Sequence, residues 1–293
     1  MKLGNVLILY KKSAYKIYFL EKNSSWFDAQ VRFPRYEIKK FERAHNVHYA
    51  TLALVEEILY GHGIHYQKYT RGRKLNYDEF DSVITVGGDG TFLEAARGLK
   101  RQFILGVNSD PSHSIGRFCT ANAKTFKNII EMVIEGKCEI KCLPRIRLTL
   151  SHAQKNIEVN ILNDVLICHE NPAAMSRYAL KIDDITEEQR SSGLWIATAA
   201  GSSGAMRSAG GSLISPLRKE IQYRPRELYQ SPHRQYRLTG RVLNLKRPMV
   251  ITSLMRSGVI FVDGAHVKFP FPFGRKARIF HSPEPVRMVE VEP

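Results

Sequence analysis

Apolar positions follow two different patterns along the first half of the chain. Continuous apolar runs predict buried strands at three places, residues 5–10, 82–86 and 103–107. Apolar residues spaced three or four apart predict three helices, at residues 41–60, 91–99 and 126–134. Strands that alternate with helices indicate a parallel sheet, so this half is predicted to be an α/β domain.

The pattern changes near Pro144, after which the apolar runs become short and are separated by turn residues. Strands are predicted at residues 145–150, 159–168, 178–182, 194–198, 249–253, 259–262 and 266–269. Residues 215–240 have weak periodicity and are predicted to form a long loop with short elements. The predicted fold is therefore an α/β N-terminal domain with a parallel sheet, followed by a β-rich, mainly antiparallel C-terminal domain.

Composition is that of a soluble globular chain: of 293 residues, 43% are hydrophobic and 25% are charged. No apolar run approaches the roughly 20 residues that a membrane-spanning helix needs, so no membrane partner is expected. Four cysteines lack the spacing of a zinc module or a disulfide framework. Free thiols suit a reducing compartment, and a cytoplasmic location is expected.

The formal net charge is +16, and it is concentrated in one stretch. Residues 206–247 contain ten Lys and Arg but only two acids, Glu220 and Glu227. A basic surface attracts polyanions, among them nucleotides and nucleic acids. Most of these side chains are expected to form a solvated face, while a few in a cleft would suffice to hold a substrate with several phosphates.

The segment from Gly87 to Thr91 reads Gly-Gly-Asp-Gly-Thr and directly follows a predicted buried strand. Glycines let the backbone turn sharply and approach a ligand, and the free amides of the following helix bind anions. Asp89 would repel phosphate, so it is expected either to hold Mg²⁺ or to accept a proton from an attacking hydroxyl. The alternative is a tight turn in which Asp89 only caps the helix.

Two further segments carry candidate chemistry. Asn163 and Asp164 interrupt a strand that is otherwise apolar, and they would either bind ribose hydroxyls or stabilise a bulge. Residues 191–212 contain many small hydroxyl residues and glycines but little charge. They are predicted to line a pocket for a flat ring, with a flexible loop as the alternative.

In this order, the three segments resemble the NAD kinase family, and a later Asp263-Gly264 pair completes the resemblance. The similarity covers roughly Val83 to Gly264. Asn108-Ser109-Asp110-Pro111 is similar to the mitochondrial and plant NADH kinase branch in particular. Many family members carry an aromatic residue where Ala205 stands and Thr where Ala200 stands.

The resemblance implies transfer of the terminal phosphoryl group of ATP, with Mg²⁺, to the adenosine-ribose 2′-hydroxyl of NAD or NADH. Asp89 would be the general base. Phosphates would contact Gly87, Gly88, Gly90 and Thr91. The NAD-binding residues would be Asn163, Asp164, Thr198, Gly201, Ser202, Ser203 and Asp263.

The resemblance also implies an organisation. Residues 1–143 would form the nucleotide-binding domain, 144–275 the substrate-binding and oligomerisation domain, and 276–293 a segment that returns to the first domain. Subunits would pair through the β-rich domain into a homodimer or a higher homo-oligomer. The residues suggest no metal site made of protein ligands alone.

Two other functions stay open at this point. Diacylglycerol and sphingosine kinases share the Gly-Gly-Asp-Gly turn, and they would need an apolar acyl cleft. A basic protein that binds nucleic acid without catalysis is the second alternative, although the chain has no recognisable nucleic-acid module. Asn163, Asp164 and the small-residue loop favour a polar dinucleotide over both, so no nucleic-acid partner is expected.

Overall fold

The computed structural model of the protein describes residues 3–21, 35–151, 156–230, 232 and 235–291. The chain divides into two compact units. The first contains Met1–Lys141 together with Arg287–Pro293, and the second contains Cys142–Val286.

The elements of the first part of the chain alternate as the periodicity predicts. They are β1 (Asn5–Tyr10), α1 (Arg35–Gly61), β2 (His65–Thr70), β3 (Ser82–Gly87), α2 (Asp89–Gly98), β4 (Phe103–Asn108), β5 (Ala121–Asn122), α3 (Phe126–Ile134) and β6 (Glu139–Leu143). Short helical turns lie at Lys16–Leu20 and Tyr77–Glu79.

Strands dominate the second part of the chain. They are β7 (Ile146–Leu150), β8 (Ile157–Ile161), β9 (Asp164–His169), β10 (Ser176–Ile182), β11 (Ile185–Ser191), β12 (Gly193–Thr198), β13 (Ile221–Arg226), β14 (Arg241–Leu243), β15 (Met249–Ser253), β16 (Gly258–Val262), β17 (Val267–Pro270), β18 (Lys276–His281) and β19 (Val286–Glu290). A 3₁₀ turn, Ala200–Ser203, leads into the short helix α4 (Ala205–Ser208).

The first unit is built on a sheet with the strand order β2-β1-β3-β4-β19-β6, in which β5 also pairs with β4. The pairs from β2 to β19 are parallel. Apolar side chains of α1 and α3, such as Val55 and Phe126, pack with strand residues such as Ile84 into one buried core. Parallel strands end at a common edge, so Gly87 at the end of β3 lies opposite Asn108 at the end of β4.

The second unit contains two antiparallel sheets of six strands each. Their orders are β11-β10-β15-β18-β7-β8 and β14-β13-β12-β9-β16-β17. Alternate residues of both sheets, for example Leu148 and Ile251 from the first and Ile167 and Ile196 from the second, belong to one buried cluster. The two sheets therefore pack face to face around a shared core.

These observations confirm the predicted fold class, a parallel α/β domain followed by a mainly antiparallel β domain. The segment 276–293 is shared between the units: β18 pairs with β15 and β7, while β19 pairs with β4.

One local prediction is wrong. Residues 159–168 are not one strand, because the chain leaves β8 in one sheet and enters β9 in the other. Residues 215–240 contain one of the expected short elements, the strand β13 at Ile221–Arg226, which pairs with β12 along its whole length. The Arg and Pro residues of β13 conceal its apolar pattern in the sequence.

Candidate active site

The turn from Gly87 to Thr91 connects β3 to α2 at the carboxyl edge of the parallel sheet. Gly88 is extended (φ −129°, ψ −166°) and precedes the helix without a side-chain cap. A Cβ atom on Gly87 would lie 2.4 Å from the Thr91 Oγ1 atom, so only glycine fits there without a shift. The amides at the start of α2, those of Asp89 and Gly90, have no acceptor within the helix, an arrangement that can bind an anion.

Asp89 is the first residue of α2 and is half-buried. Its Oδ1 atom accepts a hydrogen bond of 2.9 Å from the backbone N–H of Phe118. The neighbouring Cys119 thiol has its pKa raised to about 12, first by burial and then by the Asp89 charge. A fixed carboxylate therefore stands among the glycines of the turn, and Cys119 stays a neutral thiol beside it.

Thr91 lies in the first turn of α2 and is 1% exposed. Its backbone N–H donates to the Gly88 carbonyl oxygen at 2.9 Å, and its Oγ1 atom has no hydrogen-bond partner among the described residues. A buried hydroxyl without a partner costs free energy. A ligand oxygen at this turn would supply the missing partner.

The segment Asn108-Ser109-Asp110 supports the turn from the end of β4. The Ser109 N–H donates to the Gly87 carbonyl oxygen at 2.9 Å, and the Asn108 Nδ2 atom donates to the Ser114 carbonyl oxygen at 2.8 Å. Ser114 in turn faces Gly88, where a Cβ atom would lie 2.8 Å from its Oγ atom. The segment after β4 therefore holds Gly87 by a hydrogen bond and leaves no free space for a side chain at Gly88.

His48 of α1 was not among the predicted site residues, yet it anchors this support. It is 1% exposed, with its Nε2 atom 2.8 Å from the Lys11 carbonyl oxygen and its Nδ1 atom 2.8 Å from the Ser109 Oγ atom. Since a carbonyl only accepts, Nε2 carries the proton and Nδ1 accepts from Ser109. Burial lowers the pKa of His48 to about 4, so the ring is neutral. Its place on the apolar face of the predicted helix was the available signal.

In the second unit, Asn163 and Asp164 lie where the chain passes from one sheet to the other. The Asn163 carbonyl oxygen accepts the N–H of Thr198 at 3.0 Å. Gly201 lies so near that a Cβ atom there would be 2.0 Å from the same carbonyl oxygen. The structure therefore joins the predicted Asn-Asp pair and the predicted small-residue loop.

The hydroxyls of this loop are engaged with backbone groups. Thr198 Oγ1 donates to the Leu162 carbonyl oxygen at 2.5 Å and accepts from the Gly201 N–H at 3.1 Å. Ser202 Oγ accepts from the Ile214 N–H at 3.0 Å. Ser203 is half-exposed. Thr198 and Ser202 thus shape the loop through their side chains, while Ser203 faces outward to a greater degree.

Asp263 follows β16 and meets the Asn-Asp pair. The Asn163 N–H donates to Asp263 Oδ1 at 2.7 Å, and the Asp263 N–H donates to the Asp164 carbonyl oxygen at 2.9 Å. Asp263 has a left-handed backbone (φ +48°). Asp164 is 5% exposed, and its pKa is raised to about 7 by burial and then by the Asp263 charge. The predicted Asn163, Asp164 and Asp263 therefore form one polar cluster.

A cavity of about 790 Å³ opens beside the loop, over β12 and β13. Ala205, Trp195, Arg224 and Arg226 are among its lining residues. Two cations of the basic stretch thus line a cleft, whereas Arg234 of that stretch lies outside the described residues. Within the described part of the chain, no three His, Cys, Asp or Glu side chains are grouped as a metal site would need.

Both halves of the chain match family models. Residues 11–138 match the ATP-NAD kinase N-terminal domain, and residues 162–291 match the ATP-NAD kinase C-terminal domain. A probable NADH kinase of Oryza sativa subsp. japonica is 32% identical over 251 residues, which are 78% of this chain and 77% of the relative.

Two solved structures share the fold. Yeast NADH kinase complexed with NADH has a TM-score of 0.69 and 19% identity, covering 100% of this chain and 84% of that one. An NAD kinase from Archaeoglobus fulgidus in complex with ATP has a TM-score of 0.67 and 21% identity, covering 98% and 93%.

The chain has a glycine turn at the edge of a parallel sheet, followed by a β-sandwich. Together with the two family-model matches, these features define the protein as a kinase. The chain belongs to the ATP-NAD kinase family. This confirms the resemblance that the sequence motifs indicate, including the similarity to plant NADH kinases. The lipid-kinase and nucleic-acid alternatives find no support in these matches. None of the helices in the described residues is long and apolar enough to cross a membrane.

Proposed function

We propose that this protein transfers the terminal phosphoryl group of ATP to the adenosine-ribose 2′-hydroxyl of NAD or NADH. The observation that carries the proposal is Asp89, held by the Phe118 N–H at 2.9 Å inside a glycine turn of a chain in this family. Relatives named NADH kinase and NAD kinase support both redox forms as substrates.

The first unit supplies the phosphate-binding groups. Gly87, Gly88, Gly90 and Thr91 contact phosphate oxygens through backbone amides and the Thr91 hydroxyl, which otherwise lacks a partner. Asp89 accepts the proton of the attacking 2′-hydroxyl. A positioned base of this kind contributes about 10²–10⁴-fold to the rate, and the remaining acceleration comes from positioning and charge stabilisation.

Mg²⁺ is proposed as the metal of this reaction. Proteins commonly hold Mg²⁺ with one or two carboxylates together with substrate phosphates, and not with a complete set of protein ligands. The single fixed carboxylate of Asp89 fits this kind of site. Asp89 would hold the ion through water, which leaves its carboxylate free to accept the hydroxyl proton. When bound, Mg²⁺ neutralises charge on the phosphates.

The second unit supplies the dinucleotide-binding groups. Asn163 and Asp164 hold the ribose and nicotinamide end, and Asp263 lies near the subunit interface and the substrate. The three residues already form one hydrogen-bonded cluster. The loop that lines the dinucleotide pocket contributes Thr198, Gly201, Ser202 and Ser203. The pKa of Asp164 is raised to about 7, so both of its protonation states are populated near neutral pH. The protonated form can donate a hydrogen bond to a ribose hydroxyl, and the ionised form can accept one from it.

The proposal extends to assembly and location. A homodimer or higher homo-oligomer formed through the β-rich unit follows the family resemblance. Cys119, Cys138, Cys142 and Cys168 are all free thiols, which supports a reducing compartment such as the cytoplasm.

Incubation of the purified protein with γ-labelled ATP, Mg²⁺ and one acceptor at a time tests this function. The acceptors are NAD, NADH and diacylglycerol. We expect label in NADP or NADPH, released with an equal amount of ADP. Label in the lipid without NADP or NADPH would refute the proposal, and the ratio of the two nucleotide products gives the preferred redox form.

A further inference from the structure

Arg71 lies beside the glycine turn, although no motif includes it. It directly follows β2, and its backbone N–H donates to the Tyr10 carbonyl oxygen at 2.9 Å. This places Arg71 at the carboxyl edge of the parallel sheet, where β3 ends and α2 begins. The side chain then extends toward Gly90, because a Cβ atom on Gly90 would lie 3.3 Å from Arg71 Nη1.

Glu94 of α2 fixes the direction of this guanidinium. Arg71 Nε donates to Glu94 Oε2 at 3.0 Å, and the Gly72 N–H donates to Glu94 Oε1 at 2.6 Å. The side chains are 24% and 17% exposed, so the pair is sheltered but the guanidinium still reaches solvent. The Nε edge is bound to Glu94, and the Nη1 end is left beside the first turn of α2.

The N-terminus of α2 carries the positive end of the helix dipole, which repels a guanidinium. The carboxylates of Glu94 and of Asp89, the first residue of α2, offset part of that repulsion. An anion at the turn would meet the helix amides and the planar Nη groups together, and guanidinium geometry matches phosphate oxygens in a two-point contact.

We propose that Arg71 binds the terminal phosphate of ATP and stabilises its charge during transfer, while Glu94 holds Arg71 in place. This inference rests on the proposed kinase function. The 2′-hydroxyl oxygen forms a bond to the terminal phosphorus as the bond to the bridging oxygen breaks. ADP leaves with that electron pair, Asp89 takes the hydroxyl proton, and Arg71 neutralises charge on the transferring group without bonding to it.

A purely structural pair is the competing explanation, in which Arg71 and Glu94 tie the Gly72 loop to α2. That explanation accounts for the Nε contact and for the Gly72 amide. It gives no reason for Nη1 to lie against Gly90, one residue from the proposed base. The two explanations predict different kinetics for the same variants.

The test compares Arg71→Gln, Arg71→Lys and the matched control Arg73→Gln in steady-state kinetics with Mg²⁺-ATP and NADH. Arg73 is an exposed cation two residues along the chain. We expect Arg71→Gln to lower kcat about 10²-fold and to raise KM for ATP, with KM for NADH unchanged. Arg71→Lys keeps the charge without the planar fork and should lose less. Arg73→Gln should match wild type.

Chemical rescue separates phosphate binding from a structural role. Arg71→Ala supplied with millimolar guanidinium should regain part of its kcat, and a loop that is merely loosened should not. The inference is overturned if Arg71→Gln keeps kcat and KM for ATP within about threefold of wild type. It is also overturned if Arg71→Ala is inactive and guanidinium has no effect. Absence of NADP and NADPH from the wild-type protein would instead refute the proposed function itself.

Discussion

The turn at Gly87–Thr91 and the cluster around Asn163 are both small glycine-containing sites, but they are built differently. The turn is contiguous in sequence, and its glycines meet movable side chains, those of Thr91 and Ser114. The Asn163 cluster joins residues 100 positions apart, and Gly201 in it meets a backbone carbonyl. Substitutions in the turn should therefore alter chemistry more than stability, and substitutions in the cluster should alter both.

Gly201→Ala should have the largest effect on stability. The new methyl group would lie 2.0 Å from the Asn163 carbonyl oxygen, which is held by Thr198 and cannot withdraw easily. We expect the free energy of unfolding to fall by about 3 kcal/mol, at the upper end for overpacking. Urea unfolding measures this change.

The matched control is Gly204→Ala, three residues along the same loop. Its new methyl group would be 3.5 Å from the nearest atom, an ordinary contact. Equal losses in the two variants would mean that the close approach of Gly201 to Asn163 does not determine the stability of the loop.

Asp164→Asn tests the electrostatics of the cluster. The folded pKa of Asp164 is raised to about 7, so the folded state binds this proton more tightly than the unfolded state does. The contribution of Asp164 to the free energy of unfolding should fall, by a few kcal/mol at about 1.4 kcal/mol per pKa unit, as pH rises from about 4 to about 7.

The asparagine variant should lack that part of the pH dependence, which unfolding curves at several pH values will reveal. A wild-type profile between pH 4 and pH 7 that coincides in slope with the variant's would contradict the raised pKa.

His48→Gln tests the support of the turn through a pH dependence of the opposite sign. His48 has its pKa lowered to about 4, so the unfolded state takes up the proton first as pH falls. The contribution of His48 to the free energy of unfolding should therefore decline as pH falls from about 6.5 to about 4, by up to about 3 kcal/mol.

Glutamine does not titrate, so this part of the acid dependence should disappear in the variant. Thermal unfolding as a function of pH measures the effect. An unchanged acid dependence in the variant would show that His48 is not held neutral by the fold.

Among the variants that crowd a neighbouring atom, Gly88→Ala should have the smallest effect on stability. Its methyl group would meet only the Ser114 Oγ atom, at 2.8 Å, and a serine side chain can rotate away. We expect a loss of less than about 1 kcal/mol, and the double variant with Ser114→Ala should recover it. A loss as large as that of Gly201→Ala would remove the contrast between the two regions.

The success of sequence-based prediction follows the same contrast. The turn was predictable because the apolar strand, the three glycines and Asp89 are adjacent in sequence, and the fold class followed from periodicity. The break between β8 and β9 at Asn163 was not predictable, because it depends on hydrogen bonds to Asp263 and Thr198, which are distant in sequence. Edge strands were missed for a related reason: β2 and β11 are largely polar, and β2 has no buried residue while β11 has only two.

His48 and Arg71 are two residues near the turn that the sequence did not distinguish from others of their type. His48 lies on a predicted apolar face, where a histidine resembles an ordinary core residue until its partners Ser109 and Lys11 are seen. Arg71 is one of 44 Lys and Arg residues, and only the contact with Glu94 and the approach to Gly90 distinguish it from the rest.

The most direct test of the account is the turnover of Asp89→Asn. Asparagine can still accept the Phe118 N–H and leaves the glycines in place, so ATP should bind with nearly wild-type affinity. We predict that the single-turnover rate of NADPH formation, at saturating Mg²⁺-ATP and NADH, falls about 10²–10⁴-fold. A rate within a few-fold of wild type, with ATP bound equally well, would contradict the role of Asp89 as the general base.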